Sequence, residues 1–477
     1  MESETTPSLA YALAFQDGLT LAEADGGDLE LCAAGQRIPL RRAAPGLRAA
    51  LEALASGGVT ASDLGALVSR HDGGAGLPSL FFYLERFEQR GLLTFTASWE
   101  GQAIATLVPA ATRRPARPEA PVAGARYGIS RFALLRCDAG RFVLESPLGF
   151  GRVVLHDGRA AALCHALSTP RTLEEAGRAV PELPSPALEQ LAGLMLGIGA
   201  LSREGSQSDA LATWSAPDLW FHTRSRQGRH DAPYGATYPW RHIDPSPALK
   251  APMEGETIPL FRPDIDALAT SDPPFTRVLE ARRSHRRWGA RPIRVAELGE
   301  WLYRAARVRA VLERTAERPY DATNRPYAGG GACYPLELYL AVDTCDGLAP
   351  GLYHHHALEH TLTRLSGRTP ELDMLLARAR GAMRAASVPQ VLVVVAARVQ
   401  RTMWKYESMA YAAILKDTGS LYQTLYLVAT AMGLAPCALG GGDAELFAAA
   451  SGLDPLVEPS VGEIVIGTRA EGVSPGE

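Results

Sequence analysis

In the stretch TMWKYESMAYAAILKDTG, residues 402–419, a lysine stands directly before a tyrosine. Lys405 is one of three lysines in the chain, with Lys250 and Lys416, against 48 lysines and arginines together. Arginine keeps its charge under ordinary conditions, whereas a desolvated lysine ammonium loses its proton and then serves as a base. Tyrosine is likewise a weak acid that burial or a neighbouring charge retunes. The pair Lys405–Tyr406 therefore suits proton transfer, the alternative being one solvated helix position beside one packed ring. The apolar spacing reads as a single helix over roughly 402–432. Neighbouring helical residues point about 100° apart, so both side chains can border one pocket without touching.

Three further stretches carry chemistry-bearing residues. RRSHRRW, Arg282–Trp288, follows a predicted helix and sets arginines around a serine, which suits an oxyanion bound bidentately or equally a solvated basic face. RPYAGGGACYP, Arg325–Pro335, and CALGGGD, Cys437–Asp443, are glycine-rich loops whose amides can approach a ligand closely; each also reads as a tight turn, with Asp443 capping the next helix. His354, His355, His356 and His360 invite a metal reading. Alternate strand residues face opposite sides, however, so the triple histidine cannot converge on one ion, and no metal is expected.

The elements that position these residues belong to a chain of 477 residues, long enough for about three domains. The net charge of −4 argues against a nucleic-acid partner. Six cysteines without CxxC spacing suggest neither a disulfide framework nor a zinc site. The start, MESETTPSLA, lacks a signal pattern, and no apolar run reaches the ~18 residues of a membrane span. The expectation is a cytoplasmic protein without a membrane partner.

Two segments of the first half repeat one pattern of strands, three helices and a closing strand. Residues 1–110 hold the first, with helices at GLRAALEALASG, TASDLGALVSRH and LPSLFFYLERFEQRG and a hairpin at LLTFTA and AIATLVP. Residues 125–205 hold the second, and the Pro- and Arg-rich ATRRPARPEAPVAGA between them reads as a linker. Three helices closing on a hairpin make a winged helix, but residues 1–110 carry 7 basic against 13 acidic residues. An acidic winged helix fits a peptide clamp that adds an extended chain to a sheet edge better than it fits DNA. Residues 206–270 are too aromatic for a flexible linker and read as an ordered strap. From 271 to 477 the pattern is α+β, with buried strands at LELYLAV and VLVVVAA, a hairpin at GLYHHHALEHTLTRL and a last strand at GEIVIGTR.

RRSHRRW resembles the flavin-binding signature of the nitroreductase superfamily. RPYAGGGACYPLELYLAV followed by GLYHHH, with KYESMAY, GSLYQTLYLVATAMGLAP and GEIVIG, is similar to the SagB-type azoline dehydrogenases of ribosomal peptide maturation. LWFHTRSRQGRHDAPYGATYPW is similar to the strap of the cyanobactin oxidases, which place two peptide-clamp domains before the flavin domain. The resemblance covers residues 210 to 470 by motif and the first 205 by architecture. It implies an α+β fold: a dimeric nitroreductase-like FMN domain with an antiparallel-rich mixed sheet flanked by helices, behind two winged-helix-like clamps.

The resemblance further implies a homodimer with FMN at the subunit interface. Arg282, Arg283, Ser284 and Arg286 would hold the flavin phosphate and pyrimidine edge, with Arg469 a further phosphate ligand. Leu439, Gly440 and Gly441 would lie at the isoalloxazine edge, and the loop from Ala328 through Gly329 and Gly330 to Gly331 would reach over from the other subunit. Two departures stand out: Gly329 replaces the usual serine, and Ala412 follows Tyr411 where the family carries arginine. The implied activity is dehydrogenation of thiazoline or oxazoline rings in a precursor peptide whose leader is held by the N-terminal domains. Lys405 and Tyr406 would be the catalytic pair, dioxygen the acceptor, and other peptide-maturation enzymes possible partners. Alternatives are an NAD(P)H-dependent nitro or quinone reductase and a non-catalytic docking scaffold.

Overall fold

LELYLAV and VLVVVAA, with all seven residues of each buried, form the adjacent central strands of an antiparallel sheet. The computed structural model describes residues 10–24, 28–33, 36–40, 43–110, 114–206 and 208–470. Most of the N-terminal stretch read for a targeting signal and the start of the segment read as a linker, 111–113, lie outside them. The chain forms two compact units dividing between Ala232 and Pro233.

In the second unit the sheet runs in the order Glu256–Pro259, Thr361–Ser366, Gly351–His356, Leu336–Val342, Val391–Ala397, Ser460–Ile466, Cys437–Ala438, every neighbour antiparallel. A small parallel pair joins Ile293–Arg294 to Cys345–Asp346. The period of two explains why the central strands are buried throughout and apolar except at Glu337, whose carboxylate meets His354 and Arg398. Leu336, Leu338, Leu340 and Val342 enter one core with the helices Val295–Ala306 and Ala410–Ala431, whereas Tyr339 and Ala341 enter a second core with Pro370–Met383 and Ala444–Ser451. Helix Val295–Ala306 offers Leu298, Trp301, Leu302 and Ala305, one stripe at 3–4 spacing and fully buried. The Trp301 indole donates to the Leu425 carbonyl at 2.9 Å, which keys this helix against the long one.

The long helix differs from the expectation. A short helix covers Val399–Met403, the chain then leaves helical geometry, and the main helix covers Ala410–Ala431. The expected strap causes the break. Gly235 and Glu407 exchange backbone hydrogen bonds, the Tyr238 amide donates to the Lys405 carbonyl, and the Trp404 indole donates to the Ile243 carbonyl. Ser408 takes a left-handed φ of 60° to complete the turn. Lys405 and Tyr406 thus sit at a helix interruption, where their backbone is held by another segment.

In the first unit the two repeated segments share one sheet. Its order is Val59–Thr60, Ala12–Phe15, Leu93–Trp99, Gln102–Pro109, Gly151–Leu155, Arg141–Glu145, Leu134–Asp138. Gln102–Pro109, the closing strand of the first segment, pairs with Gly151–Leu155 of the second, and one hydrophobic core runs from Leu13 to Leu201. The segment that reads as a linker is packed here: Ala116 is buried and the Glu119 amide donates to the Gly193 carbonyl. Gly193 and Gly197 flatten one face of helix Ser185–Gly197, and a Cβ on Gly197 would collide with the Arg117 carbonyl. No helix of the described residues is long and apolar enough to cross a membrane.

Candidate functional site

Two clusters gather the residues singled out in the sequence. The first surrounds Lys405, which is 8% exposed. Its ammonium donates to the Tyr320 hydroxyl at 2.6 Å and lies 3.4 Å from the Gly331 carbonyl. Because Tyr320 donates its own proton to Gly331 O at 2.8 Å, the Tyr320 oxygen must accept from lysine. The third face of the ammonium meets Tyr406, whose ring centroid is 4.9 Å away. The two side chains therefore touch, contrary to the helical expectation, because the break turns them to one side.

Burial opposes the charge on Lys405, but hydrogen bonds with Tyr320 and Tyr406 outweigh it and hold the ammonium above the usual lysine range. Burial also lifts the Tyr406 phenol, while the hydrogen bond from Lys405 pulls it down, with a net shift upward. The lysine is thus kept charged against the opposing effect of burial.

The glycine loop closes this cluster from the same chain. The Gly330 amide donates to Asp417 Oδ1 at 2.9 Å and the Ala328 amide to Ser420 Oγ at 3.1 Å. Gly331 has a left-handed φ of 59°, and a Cβ there would collide with both the Tyr406 hydroxyl and the Lys405 ammonium. Gly331→Ala should therefore cost at least ~1 kcal/mol in backbone strain and push the pair apart. The expected result is a turnover drop of tenfold or more, on the order of a 1 Å misplacement at a reacting group, with the protein still folded by circular dichroism. Wild-type turnover would mean that the loop does not set the pair. The glycine at 329 also has a reason, since a side chain there would run into the Tyr334 ring. Ala412 is nearly buried, so the missing arginine leaves no gap on an open face.

The second cluster lies near the other part of the long helix. Arg282 sits over the Tyr426 ring at 5.4 Å, and the Tyr426 hydroxyl shares a 2.8 Å hydrogen bond with Ser284 while accepting from the Ala438 amide at 2.7 Å. The His285 amide donates to Pro436 O, which ties the arginine segment to the 436–441 loop. Burial and the nearby Arg469 and Arg283 charges push the His285 imidazole below its ordinary range, and Arg286 acts on the adjacent Cys437 thiol. Trp288 bridges to Arg469, which brings the last strand's exit into the cluster. Among the described residues no carboxylate pairs with Arg282, Arg283, Arg286 or Arg469, and no hydrogen bond engages the amides of Gly440 and Gly441. The Leu439 amide, by contrast, donates to Glu463 O, so it is already committed to the sheet. Asp443 caps helix Ala444–Ser451 through the Leu446 amide.

Arginines without a carboxylate partner among the described residues, beside two free loop amides, suit a phosphorylated, electron-poor ligand such as FMN. The two clusters are marked by Asp417 and Tyr426, nine residues apart on one helix, or roughly 14 Å along its axis. The histidines turn to separate partners: His354 to Glu337 at 3.3 Å, and His355 to His360 at 3.2 Å. Among the described residues no group of three or more His, Cys, Asp or Glu is placed to hold a metal. Tyr320 was not singled out in the sequence. It lies 85 residues from Lys405 in a segment without regular periodicity, and its only local mark is the preceding proline.

Residues 279–468 match the model of the nitroreductase family, residues 8–115 that of the ThcOx helix-turn-helix domain, and residues 127–231 that of cyanobactin oxidase ThcOx. MJ1384 of Methanocaldococcus jannaschii, named for nitroreductase, is 27% identical over 186 residues, 39% of this chain and 85% of its own length. The microcin B17-processing protein McbC of Escherichia coli is 27% identical over 117 residues, 24% of this chain; the match spans 43% of McbC, less than half its length. Among solved structures, the E. coli microcin synthetase McbBCD complex with truncated pro-MccB17 bound contains a chain that is 22% identical, covering 40% of this chain and 71% of that one, with a TM-score of 0.33. A nitroreductase with bound FMN from Bacteroides fragilis is 16% identical, covering 43% of this chain and 93% of that one, with a TM-score of 0.27.

Proposed function

From a chain whose residues 279–468 belong to the nitroreductase family, behind two segments of the cyanobactin-oxidase type, we propose an FMN-dependent dehydrogenase that oxidises thiazoline or oxazoline rings to thiazoles or oxazoles in a ribosomally made precursor peptide. The observation that carries this reading is the Lys405–Tyr406 pair, taken out of its helix, fixed by Tyr320 and closed by Gly331. A nitro or quinone reductase, fed by hydride from NAD(P)H, has no use for such a paired proton acceptor.

Arg282, Arg283, Arg286 and Arg469 would hold the FMN phosphate as guanidinium–oxyanion pairs, and the Gly440 and Gly441 amides would face the ring system. When bound, the flavin supplies the acceptor for the hydride leaving the β-carbon of the azoline. The α-carbon lies between a C=N and a carbonyl, so its C–H is acidic enough for a side-chain base. In this reading the Tyr406 oxygen takes that proton as phenolate. Lys405, anchored by Tyr320 and Gly331, stabilises the phenolate through its charge. Loss of the proton and the hydride together leaves an aromatic ring, with dioxygen as the final electron acceptor.

In the proposed homodimer each chain would offer its arginines to one flavin and its Lys405–Tyr406 pair to the other. The two N-terminal segments would hold the leader of the peptide, whether alone or beside other maturation enzymes. The test is to purify the protein, record its visible spectrum and incubate it with a thiazoline-containing peptide while following mass. Yellow protein that removes two hydrogens per ring supports the reading. Yellow protein that leaves the peptide intact but consumes NAD(P)H with a nitro or quinone acceptor replaces it with the reductase reading. Colourless protein that gains no colour with FMN and only binds peptide points to a docking scaffold.

A further inference from the structure

Asp417 is buried on the inner face of helix Ala410–Ala431, at 6% exposure, and no part of the proton-transfer scheme uses it. Among the described residues no cation pairs with it, and its hydrogen-bond partner is the Gly330 amide at 2.9 Å. Ser420 lies three residues on, on the same helix face, and accepts from the Ala328 amide at 3.1 Å. Helix and loop are therefore pinned at two points, and what the pinned loop presents is the Gly331 carbonyl. That carbonyl accepts from Tyr320 at 2.8 Å and faces the Lys405 ammonium at 3.4 Å. Behind the loop, a Cβ at Gly330 would just meet Asp417 and Ala413, so the backbone lies directly over the helix.

We propose that Asp417 is a positioning residue for the Lys405–Tyr406 pair, fixing the glycine loop so that the Gly331 carbonyl and Tyr320 hold the lysine in place. This rests on the reading of that pair as the proton-transfer centre. A buried carboxylate without a cation is a costly choice for a structural contact alone, because a desolvated charge needs several hydrogen bonds to offset it. Burial pushes the Asp417 carboxyl up to about 6, with the Gly330 amide pulling the other way. The titratable groups that sense it are Tyr327 and the Cys333 thiol, and Cys333 senses Lys405 as well. Asp417 and Lys405 thus both act on the buried Cys333 thiol, with opposite signs.

The test uses the full chain and the variants Asp417→Ala, Asp417→Asn and Ser420→Ala. The first readout does not involve turnover: acetylation of Lys405 by acetic anhydride across a pH series, read by peptide mass spectrometry. Asp417→Ala frees the loop, so Lys405 loses an acceptor and should react at a pH lower by about one unit. Asparagine still accepts from the Gly330 amide and should label like wild type, and Ser420→Ala should shift the profile in the same direction by less. In the ring-oxidation assay Asp417→Ala should lower kcat by roughly 30–100-fold with little change in KM, and Asp417→Asn should stay within about threefold. The proposal falls if Asp417→Ala leaves the Lys405 labelling profile at its wild-type position. It also falls if asparagine is as disruptive as alanine, which would make the charge, and not the hydrogen bond, the important feature. Should Asp417→Ala fail to fold, Ser420→Ala with a wild-type profile overturns it equally. Wild-type protein that oxidises no azoline would sink the functional reading while leaving the labelling test intact.

Discussion

Lys405→Ala lowers ring oxidation by about 10³-fold, within the range for losing a positioned proton acceptor or the charge that activates it, and leaves flavin binding unchanged. Tyr406→Ala does the same. Lys405→Arg then separates the two roles, because a guanidinium supplies charge but cannot give up its proton. If Tyr406 phenolate takes the proton, the arginine variant retains activity well above the alanine variant; if the lysine amine takes it, the two are equally inactive. The pH dependence follows from the directions of the shifts. Lys405 is held charged by Tyr320 and Tyr406, and Tyr406 is held neutral by burial, so the proton-accepting form of the pair lies on the alkaline side. The wild-type rate should rise with pH through and above neutrality. In Lys405→Ala the Tyr406 phenol loses the hydrogen bond that pulls it down, so residual activity should need still higher pH. A rate that falls with rising pH across that range would contradict the assignment of the pair as a base.

Much of this site was legible because its residues announce themselves by type. A rare lysine beside a tyrosine, arginines around a serine and two glycine-rich loops need no partner in the sequence to be noticed. The α+β pattern of the second unit was legible for a related reason: Leu336–Val342, apart from Glu337, and Val391–Ala397 are apolar at both parities, which only a sheet covered on both faces requires. What remained hidden depends on contacts between distant segments. Residues 402–409 have helical spacing, and the helix ends only because Gly235, Tyr238 and Ile243 take its polar groups. Tyr320 reaches Lys405 across 85 residues, and the reason Gly331 must be glycine becomes visible once both side chains stand over it. In the first unit, Gln102–Pro109 reads as half of the hairpin that closes the first segment and Gly151–Leu155 lies among the leading strands of the second. Their pairing with each other, and the close packing of the Pro- and Arg-rich segment on Gly193 and Gly197, follow from long-range burial.

Replacing Arg282 and Arg286 together by alanine should weaken FMN binding by about 10²–10⁴-fold, taking roughly 1.5–3 kcal/mol for each hydrogen bond to a charged group. Flavin fluorescence titration reads this directly, and lysine substitutions should recover only part of it, since an ammonium binds phosphate as a point charge. Ser284→Ala should cost less, because its hydroxyl is already shared with Tyr426. Unchanged flavin affinity in the double variant would place the cofactor elsewhere. The proposed homodimer then gives a sharper consequence. Lys405→Ala chains and chains lacking both Arg282 and Arg286, assayed at FMN concentrations below the weakened Kd, are each expected to be inactive, for different reasons. If every site draws its arginines from one chain and its proton acceptor from the other, a mixed dimer of the two contains one site with both defects and one with neither. Co-expressing and purifying that mixed dimer should recover about half of the wild-type activity per dimer, where either parent shows almost none. If each chain instead builds its site alone, every site in the mixed dimer keeps one defect and no activity returns. Recovery requires Lys405 and Arg286 to meet across the two-fold axis of the proposed homodimer.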